Sequence, residues 1–167
     1  MDSSERTIIG ILTNLKRSLA TAESCTGGLI SKMLTDVDGS SAVFDRGFVT
    51  YSNKAKQEMI GVPADMIEKH GAVSWQVAEA MAQGTLKTAQ TDLAVSCTGI
   101  AGPGGGSVDK PVGTVFIGVA SSDGYLSHHH HVFEGDRASV RNKTAQEALS
   151  HVLKHIKRNY LNETVDE

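Results

Sequence analysis

Apolar residues along the chain follow two spacings, the stripe of an amphipathic helix and the short apolar run of a buried strand. The first stripe predicts a helix over residues 4–19, and Asp2, three residues before Glu5, suits a capping box at its start. A short strand then runs into a second helix across residues 21–28, because apolar residues beyond it recur on one helical face: Leu29, Ile30, Met33 and Leu34. Ser24 would lie at the bend between strand and helix.

The same two spacings continue to the carboxyl terminus. They predict, in order, a strand over 43–51, short helices over 53–60 and after Pro63, a helix from Ser74 to just before Asp92, strands over 93–96, 113–121 and 125–133, and a helix over 136–160. The dipeptide Asp123-Gly124 is typical of a hairpin, so the last two strands should be antiparallel neighbours. This order predicts an α/β fold with three layers, α/β/α, around a mixed sheet. We expect residues 1–167 to form a single domain, because no linker divides them.

Charge and cysteine content narrow the classes of function. The 16 basic and 19 acidic residues leave a net charge of −3 without a basic stripe, so we expect no nucleic-acid partner. Cys25 and Cys97 are the only cysteines, which is typical of a protein kept in a reducing compartment. Charged residues interrupt residues 1–19, so we expect neither a signal peptide nor a membrane span, and we predict a cytoplasmic protein.

The bend at Ser24 is the first candidate for chemistry. A hydroxyl there would lie beside unpaired backbone N–H groups and the positive end of a helix dipole, which suits a nucleophile or an anion-binding turn. Its tetrapeptide, Ser-Cys-Thr-Gly at residues 24–27, recurs at residues 96–99, again at the end of a predicted strand. We expect both turns to line one cleft, the second holding substrate through backbone N–H groups of the glycine-rich segment 99–113. From spacing alone, two simple turns of small residues account for the repeat equally well, since neither matches a P-loop or a GxSxG elbow.

Four ordered motifs also carry a resemblance to a known family. They are residues 21–28, residues 47–53 with Lys56, residues 98–105 followed by 110–114, and residues 135–137 with Arg141. In these motifs the chain resembles the CinA carboxy-terminal domain family, whose members include nicotinamide mononucleotide amidohydrolases. The resemblance covers nearly the whole chain and implies that family's fold. It also implies hydrolysis of the carboxamide of nicotinamide mononucleotide to nicotinic acid mononucleotide and ammonia, a reaction of pyridine-nucleotide salvage.

The resemblance places the family's serine nucleophile on Ser24 and its tyrosine and lysine on Tyr51 and Lys56. A Ser–Lys pair can replace a histidine-based triad if the lysine is neutral, so Lys56 should lie in a confined pocket that lowers its pKa from about 10.4. Tyr51 would relay the proton or orient the amine. We expect the N–H groups of Thr26 and Gly27 to stabilise the oxyanion. The other expected substrate-binding residues are Glu23, Thr98, Gly99, Gly102, Gly105, Arg137 and Arg141. Arg141 continues the stripe of Ala145 and Leu149, so we expect it to point toward the edge of the sheet, where a phosphate could meet it.

Several of these residues have alternative interpretations. Glu23 could simply cap the second helix, and Cys25 is a rival nucleophile because a thiol at a helix amino terminus can have a lowered pKa. Without the resemblance, Lys56 would be interpreted as a solvated helix lysine and Tyr51 as a packed sheet aromatic. Arg141 could pair with a carboxylate at the edge of the core. The whole chain could also be a nucleotide-binding or regulatory module that keeps the pocket without turnover.

Four consecutive histidines at residues 128–131 fall within a predicted strand. Side chains alternate between the two faces of a strand, so no more than two neighbours could share a metal within that strand. No Cys or Asp cluster completes such a site and the family chemistry calls for none, so we expect neither a native metal nor a cofactor.

Two expectations concern the assembly of the protein. Family members often carry an additional amino-terminal domain with a metal-dependent pyrophosphatase activity, which we expect to be absent here because the Ser24 motif lies close to Met1. Small enzymes of this kind often complete the cleft across a symmetric interface, so we expect a homo-oligomer, with a dimer favoured.

Overall fold

A five-stranded mixed sheet forms the middle layer of the protein, whose structure is a computed structural model that describes residues 3–165. In chain order the strands are β1 (Leu19–Glu23), β2 (Phe44–Val49), β3 (Leu93–Gly99), β4 (Thr114–Ser121) and β5 (Leu126–Val132). Their order across the sheet is β2-β1-β3-β4-β5. β1 is parallel to β2 and β3, whereas β4 is antiparallel to β3 and β5, so the predicted mixed sheet and its hairpin are confirmed.

Helices cover both faces of this sheet. They are α1 (Ser4–Leu15), α2 (Leu29–Thr35), α3 (Asn53–Ile60), α4 (Ala64–His70), α5 (Trp75–Ala89) and α6 (Arg137–Tyr160), with a 3₁₀ turn at Ser40–Ala42. On one face α1, α2 and α6 bury side chains such as Ile8, Leu34 and Leu149 against β3 and β4. On the other face α3, α4 and α5 bury a smaller cluster that includes Ile60 and Met81. The predicted three-layer α/β/α architecture is therefore confirmed.

The first helix is shorter than predicted. It ends at Leu15, because Lys16 adopts a left-handed conformation with φ of 53° and its N–H caps the last turn. Leu19, assigned to the helical stripe, is instead the first residue of β1 and is fully buried in the sheet. Leu19 fits both the helical spacing and a buried strand, which is why the predicted helix extends four residues beyond the observed one. The expected capping box includes Asp2, which lies outside the described residues, and Ser3 is the N-cap residue.

The carboxyl ends of β1 and β3 lie side by side and position the site. The Ser24 N–H donates to the Cys97 carbonyl at 3.1 Å, directly beyond the last residue of β1. β2 ends at Val49, so Tyr51 lies beyond the strand predicted to contain it, whereas β3 extends past its predicted end and includes Thr98. Within residues 3–165, no helix combines the length and the apolar character needed to span a bilayer.

Candidate active site

A cleft of about 300 Å³ opens at the carboxyl ends of β1 and β3. Ser24 and Cys25 line it from the end of β1, and Tyr51 and Lys56 line it from the segment after β2. The glycine-rich loop after β3 and Arg137, the first residue of α6, contribute the rest of the wall. Its volume lies at the low end of the range typical of small-molecule pockets. The first copy of the tetrapeptide, through Ser24 and Cys25, and the second, through Thr98 and Gly99 at the end of β3, thus line one cleft.

Ser24 and Lys56 meet inside this cleft. The Lys56 Nζ lies 3.0 Å from the Ser24 Oγ and donates to the Thr50 carbonyl at 2.9 Å. Ser52 caps α3 by accepting a hydrogen bond from the Ala55 N–H, which fixes the first turn of the helix that carries Lys56. Both reacting side chains are enclosed, since Lys56 is 1% exposed and Ser24 is 8% exposed.

The protonation state of Lys56 decides what this contact can do. Burial lowers the pKa of the Lys56 amine below its ordinary value of 10.5, although the nearby sulfurs of Cys25 and Cys97 act in the opposite direction. A neutral amine can accept the proton of a serine hydroxyl, whereas an ammonium cannot. The distance and the direction of the pKa shift both suit a serine activated by lysine.

Tyr51 contacts Lys56 through its backbone and not through its hydroxyl. Its carbonyl lies 3.5 Å from the Lys56 Nζ, while its hydroxyl accepts a hydrogen bond from the Arg137 Nη2 at 3.0 Å. Arg137 also donates to the Gly102 carbonyl at 2.8 Å and so joins the two walls of the cleft. The expected proton relay through the Tyr51 hydroxyl is not the arrangement in the structure, in which that hydroxyl orients Arg137.

Glu23 does not reach the cleft. Its fully buried carboxylate accepts hydrogen bonds from the N–H groups of Ile30 and Ser31 at 2.8 and 3.0 Å. It also accepts from the hydroxyls of Thr26 and Ser31 at 2.6 and 2.7 Å. The substrate-binding role expected for Glu23 does not fit these contacts, because both carboxylate oxygens are occupied. Glu23 caps α2, which is the alternative that the sequence left open.

The two amides expected to stabilise the oxyanion are not presented to the cleft. Thr26 is fully buried and does not line it, and the Gly27 N–H donates to the Ser24 carbonyl at 3.1 Å. The reason is that α2 begins only at Leu29, so a turn separates Ser24 from the helix. The N–H groups of Cys25 and Thr26 donate no hydrogen bond to another residue within residues 3–165, but only Cys25 lines the cleft.

The two arginines one turn apart have different positions. Arg141 Nε and Nη2 donate to the carbonyls of Cys25 and Thr26 at 3.0 and 2.9 Å, so Arg141 holds the turn after Ser24 and does not line the cleft. Within residues 3–165 Arg141 forms no ion pair with a carboxylate, so the alternative partner left open by the sequence is not found, and a phosphate contact of Arg141 stays a prediction. Arg137 alone of the pair lines the cleft.

The second turn lines the cleft mainly through its backbone. Thr98 uses its hydroxyl to donate to the Ala72 carbonyl at 2.8 Å, so that hydroxyl is not free for a ligand. Gly99, Gly102 and Gly105 all line the cleft. The N–H groups of Gly102 and Gly105 donate no hydrogen bond within residues 3–165 and are available to a substrate.

Six residues of the cleft lining were not named from the sequence: Asn53, Ala72, Val73, Ile100, Ala101 and Gly104. The last three lie in the motif over residues 98–105. Asn53 belongs to the motif over residues 47–53 and is the first residue of α3, so its position could have indicated a role. Ala72 and Val73 carry no chemical signal. They reach the cleft because the Thr98 hydroxyl binds the segment before α5.

Cys25 is a poor rival for the role of nucleophile. Its hydrogen bond with Cys97 and its burial raise the pKa of the Cys25 thiol well above the ordinary value, with Arg141 acting weakly in the opposite direction. A thiol in this state is protonated at neutral pH and therefore unreactive. The helix amino terminus that could have lowered its pKa is already capped by a carboxylate.

Comparison with known proteins identifies the family. A family model described as the CinA C-terminal domain matches residues 1–156. The chain belongs to this family. Its cleft is therefore built on a CinA C-terminal domain, as the four motifs indicated.

Relatives of this CinA domain differ in length. It is 54% identical over 138 residues to the nicotinamide-nucleotide amidohydrolase PncC of Enterobacter agglomerans, covering 83% of this chain and 84% of that protein. It is also 51% identical over 152 residues to a putative competence-damage inducible protein of Caldicellulosiruptor bescii, covering 91% of this chain. The match spans only 37% of the length of that Caldicellulosiruptor protein.

Solved structures share the architecture of this CinA domain. The crystal structure of the competence/damage inducible protein CihA from Agrobacterium tumefaciens matches with a TM-score of 0.89 at 46% identity, covering 90% of this chain and 92% of that one. A CinA superfamily protein from Klebsiella pneumoniae matches with a TM-score of 0.88 at 30% identity, covering 93% and 96% of the two chains.

Proposed function

We propose that this CinA domain is an amidase that hydrolyses the carboxamide of nicotinamide mononucleotide to nicotinic acid mononucleotide and ammonia. The observation that carries the proposal is the 3.0 Å contact between the Ser24 Oγ and the enclosed amine of Lys56. Support for the substrate comes from relatives named nicotinamide-nucleotide amidohydrolase, which are 54% and 53% identical to this chain. The Ser24–Lys56 pair accounts for the reaction without a metal or an organic cofactor.

The first half of the reaction acylates Ser24. The neutral Lys56 amine takes the hydroxyl proton as the Ser24 Oγ attacks the carboxamide carbon, which gives a tetrahedral intermediate with a negatively charged oxygen. We assign the Cys25 N–H to that oxygen, because it is the free amide adjacent to the nucleophile within the cleft lining. The Lys56 ammonium then gives its proton to the leaving nitrogen, the C–N bond breaks, and ammonia departs.

The second half hydrolyses the ester. A water molecule attacks the acyl carbon while Lys56, neutral again, accepts one of its protons. The C–O bond to Ser24 breaks and the proton returns from Lys56 to the Ser24 oxygen, so the enzyme is regenerated. The enclosure of Lys56 serves both halves, because burial lowers the pKa of the amine and so favours its neutral form between proton transfers.

Arg137 is the residue we assign to the phosphate of the substrate. It is an exposed cation at the cleft wall, held by the Gly102 carbonyl and the Tyr51 hydroxyl. A guanidinium fixed in this way is suited to bind phosphate oxygens. The free N–H groups of Gly102 and Gly105 lie on the same wall and can bind further polar groups of the nucleotide.

Incubation of the purified protein with nicotinamide mononucleotide tests the reaction. We expect stoichiometric release of ammonia and nicotinic acid mononucleotide, measured by an enzymatic ammonia assay and by chromatography. Mass spectrometry of a quenched reaction should find the acyl group on the peptide that contains Ser24. Tight binding of the nucleotide in calorimetry without ammonia release would instead identify the non-catalytic binding module.

The substrate class has a separate test. Nicotinamide riboside lacks the phosphate, so its kcat/KM should be lower than that of the mononucleotide. The variant Arg137→Gln should lose this preference by weakening only the reaction of the mononucleotide, by about 10-fold or more if one charged hydrogen-bonded contact is lost. An unchanged preference in Arg137→Gln would remove Arg137 from the phosphate site while leaving the amidase activity in place.

A further inference from the structure

The four histidines of β5 face two different neighbours. His128 and His130 point to the α5 side, where the His128 Nδ1 lies 2.8 Å from the Glu79 carboxylate and His130 stacks on Phe116. His129 and His131 are half-buried on the opposite face, against α6. The alternation expected from the sequence therefore separates two pairs, one facing α5 and the other facing α6.

α6 brings further ligand atoms to the covered pair. The His151 Nε2 lies 2.9 Å from the His131 Nε2 and 3.9 Å from a carboxylate oxygen of Glu147. Glu147 and His151 are one helical turn apart, so they share a face of α6. One ligand atom from each of these three residues lies within 4.8 Å of the others. No Cys or Asp cluster near the four histidines indicates a metal site in the sequence, but the fold supplies further ligands from α6, an element distant in sequence.

These distances suit a small transition-metal ion. Zinc binds imidazole nitrogen at about 2.0–2.1 Å in a tetrahedral arrangement, which places two such nitrogens about 3.3 Å apart. The two Nε2 atoms at 2.9 Å would need to separate by only a few tenths of an ångström. We propose that His131, Glu147 and His151 form a site for a divalent transition-metal ion, zinc by preference, that links β5 to α6.

A neighbouring ring and two nearby charges surround the cluster. His129 stacks on His151 with ring centroids 3.5 Å apart, which fixes the His151 ring. The Lys154 ammonium nearby opposes a bound cation, whereas the Glu147 carboxylate attracts one. Two histidines and one carboxylate form a ligand set that zinc uses in proteins, with a fourth position left to water.

The site is separate from the proposed catalysis. None of its three residues lines the cleft around Ser24 and Lys56. Its effect is on β5, an edge strand of the sheet, which the ion would fasten to the long helix α6. Binding to the folded chain alone stabilises it, so the measurements are metal affinity and thermal stability and do not depend on turnover.

The test uses the full chain without a polyhistidine tag, after treatment with a chelator. Calorimetric titration with zinc should show one ion per chain, and cobalt should give the intense visible absorption of a tetrahedral site. The melting temperature should rise with zinc and not with magnesium. Failure of zinc to bind at concentrations up to about 1 mM, which corresponds to about 4 kcal/mol of binding free energy, would overturn the proposal.

Matched variants locate the ion. His131→Ala and Glu147→Gln should each weaken zinc binding at least about tenfold, the lower limit of what even outer-shell losses cost. His130→Ala, one residue along β5 on the opposite face, should leave the affinity unchanged. Lys154→Met should tighten binding, because it removes a repelling charge. If His130→Ala abolished binding and Glu147→Gln did not, the ion would be bound by the exposed histidines and the proposed site would be wrong.

Discussion

Two copies of Ser-Cys-Thr-Gly lie on adjacent parallel strands, yet their serines have different surroundings. Ser24 follows the last residue of β1, lines the cleft and contacts the Lys56 amine at 3.0 Å. Ser96 lies inside β3, is fully buried, and donates its hydroxyl to the Ala78 carbonyl of α5 at 2.6 Å. The first hydroxyl is placed beside a base, whereas the second fastens a helix to the sheet.

Strand register explains this difference. Ala22 pairs with Ser96 and Glu23 pairs with Cys97, so the two copies are displaced by two residues along the sheet. Ser24 therefore lies level with Thr98 and not with Ser96. The same tetrapeptide acquires different chemistry because one copy follows the end of β1 whereas the other still lies within β3. The comparison leads to four predictions, taken from the largest expected effect to the smallest.

Removing the two serine hydroxyls should separate catalysis from stability. Ser24→Ala should lower kcat for nicotinamide mononucleotide by about 10⁴-fold or more, since nothing else in the cleft replaces the nucleophile. Ser96→Ala should keep kcat and lower the free energy of unfolding by about 1 kcal/mol, because the Ala78 carbonyl loses a buried donor. Ammonia release and urea denaturation measure the two effects. Ammonia release that survives Ser24→Ala unchanged would remove the serine mechanism but not the reaction.

Ser24 has Lys56 as a neighbouring base, whereas Ser96 donates to a backbone carbonyl. Removing Lys56 should have the second largest effect on catalysis. Lys56→Met should lower kcat by about 10² to 10⁴-fold, as loss of a general base does. The free energy of unfolding should not fall, because burying an amine is costly and a thioether fills similar volume. Lys56→Arg is the matched control, since a guanidinium keeps the charge but cannot act as a base near neutral pH.

The lowered pKa of Lys56 also predicts how activity and stability change with pH. The pKa of Lys56 is lowered in the folded chain, so kcat/KM should rise with pH as the amine loses its proton, with the midpoint below 10.5. The unfolded chain holds that proton up to the ordinary pKa, so the Lys56 contribution to stability increases with pH between the two values and is lost below the folded pKa. Lys56→Met should flatten this part of the stability profile. An identical profile in the variant would contradict the assignment.

The sequence predicted the layers of the fold more reliably than the contacts of the site. Helical stripes and β-branched runs identify α6 and the β4–β5 hairpin because burial on one face dictates their spacing. The family resemblance in the four motifs predicted that Ser24 and Lys56 act together, and the two side chains are in contact. Contacts between distant residues left no such trace, so Arg141 was expected at a phosphate although it binds the turn carbonyls. The expectation of a dimer stays a prediction.

The sequence did not predict contacts that depend on the backbone conformation of the turn after Ser24 or on the packing of helices. Glu23 was expected either to bind substrate or to cap a helix, and its carboxylate accepts hydrogen bonds from the α2 amides. The Gly27 amide was expected to be free, yet the turn uses it to bind the Ser24 carbonyl. His131 of β5 lies next to Glu147 and His151 only because α6 packs against this part of the sheet. Each of these outcomes is set by tertiary packing and not by neighbours in sequence.

The glycines that end the two copies should respond differently to alanine. In β3, a Cβ at Gly99 would lie 2.6 Å from the Val115 Cγ2 and 2.9 Å from the Thr114 carbonyl oxygen, so Gly99→Ala should cost about 1–3 kcal/mol through overpacking. Gly27 has space, with the Arg141 Nη2 at 3.4 Å, but its φ of 58° disfavours a side chain by about 1 kcal/mol. Thermal denaturation should therefore rank Gly99→Ala as the more destabilising change. The reverse order would mean that β3 can shift away from β4.

The cysteines beside the two serines should give the smallest effect on catalysis. Cys25 lines the cleft next to Ser24, but its hydrogen bond with Cys97 and its burial raise the pKa of its thiol, so it is protonated at neutral pH. Cys25→Ala should therefore keep most of the kcat for nicotinamide mononucleotide, and iodoacetamide should not inactivate the native protein. The backbone N–H that we assign to the oxyanion is retained in this variant. If Cys25→Ala lost as much activity as Ser24→Ala and still melted cooperatively, the nucleophile would be the Cys25 thiol and not the Ser24 hydroxyl, because only a nucleophilic role makes the sulfur indispensable.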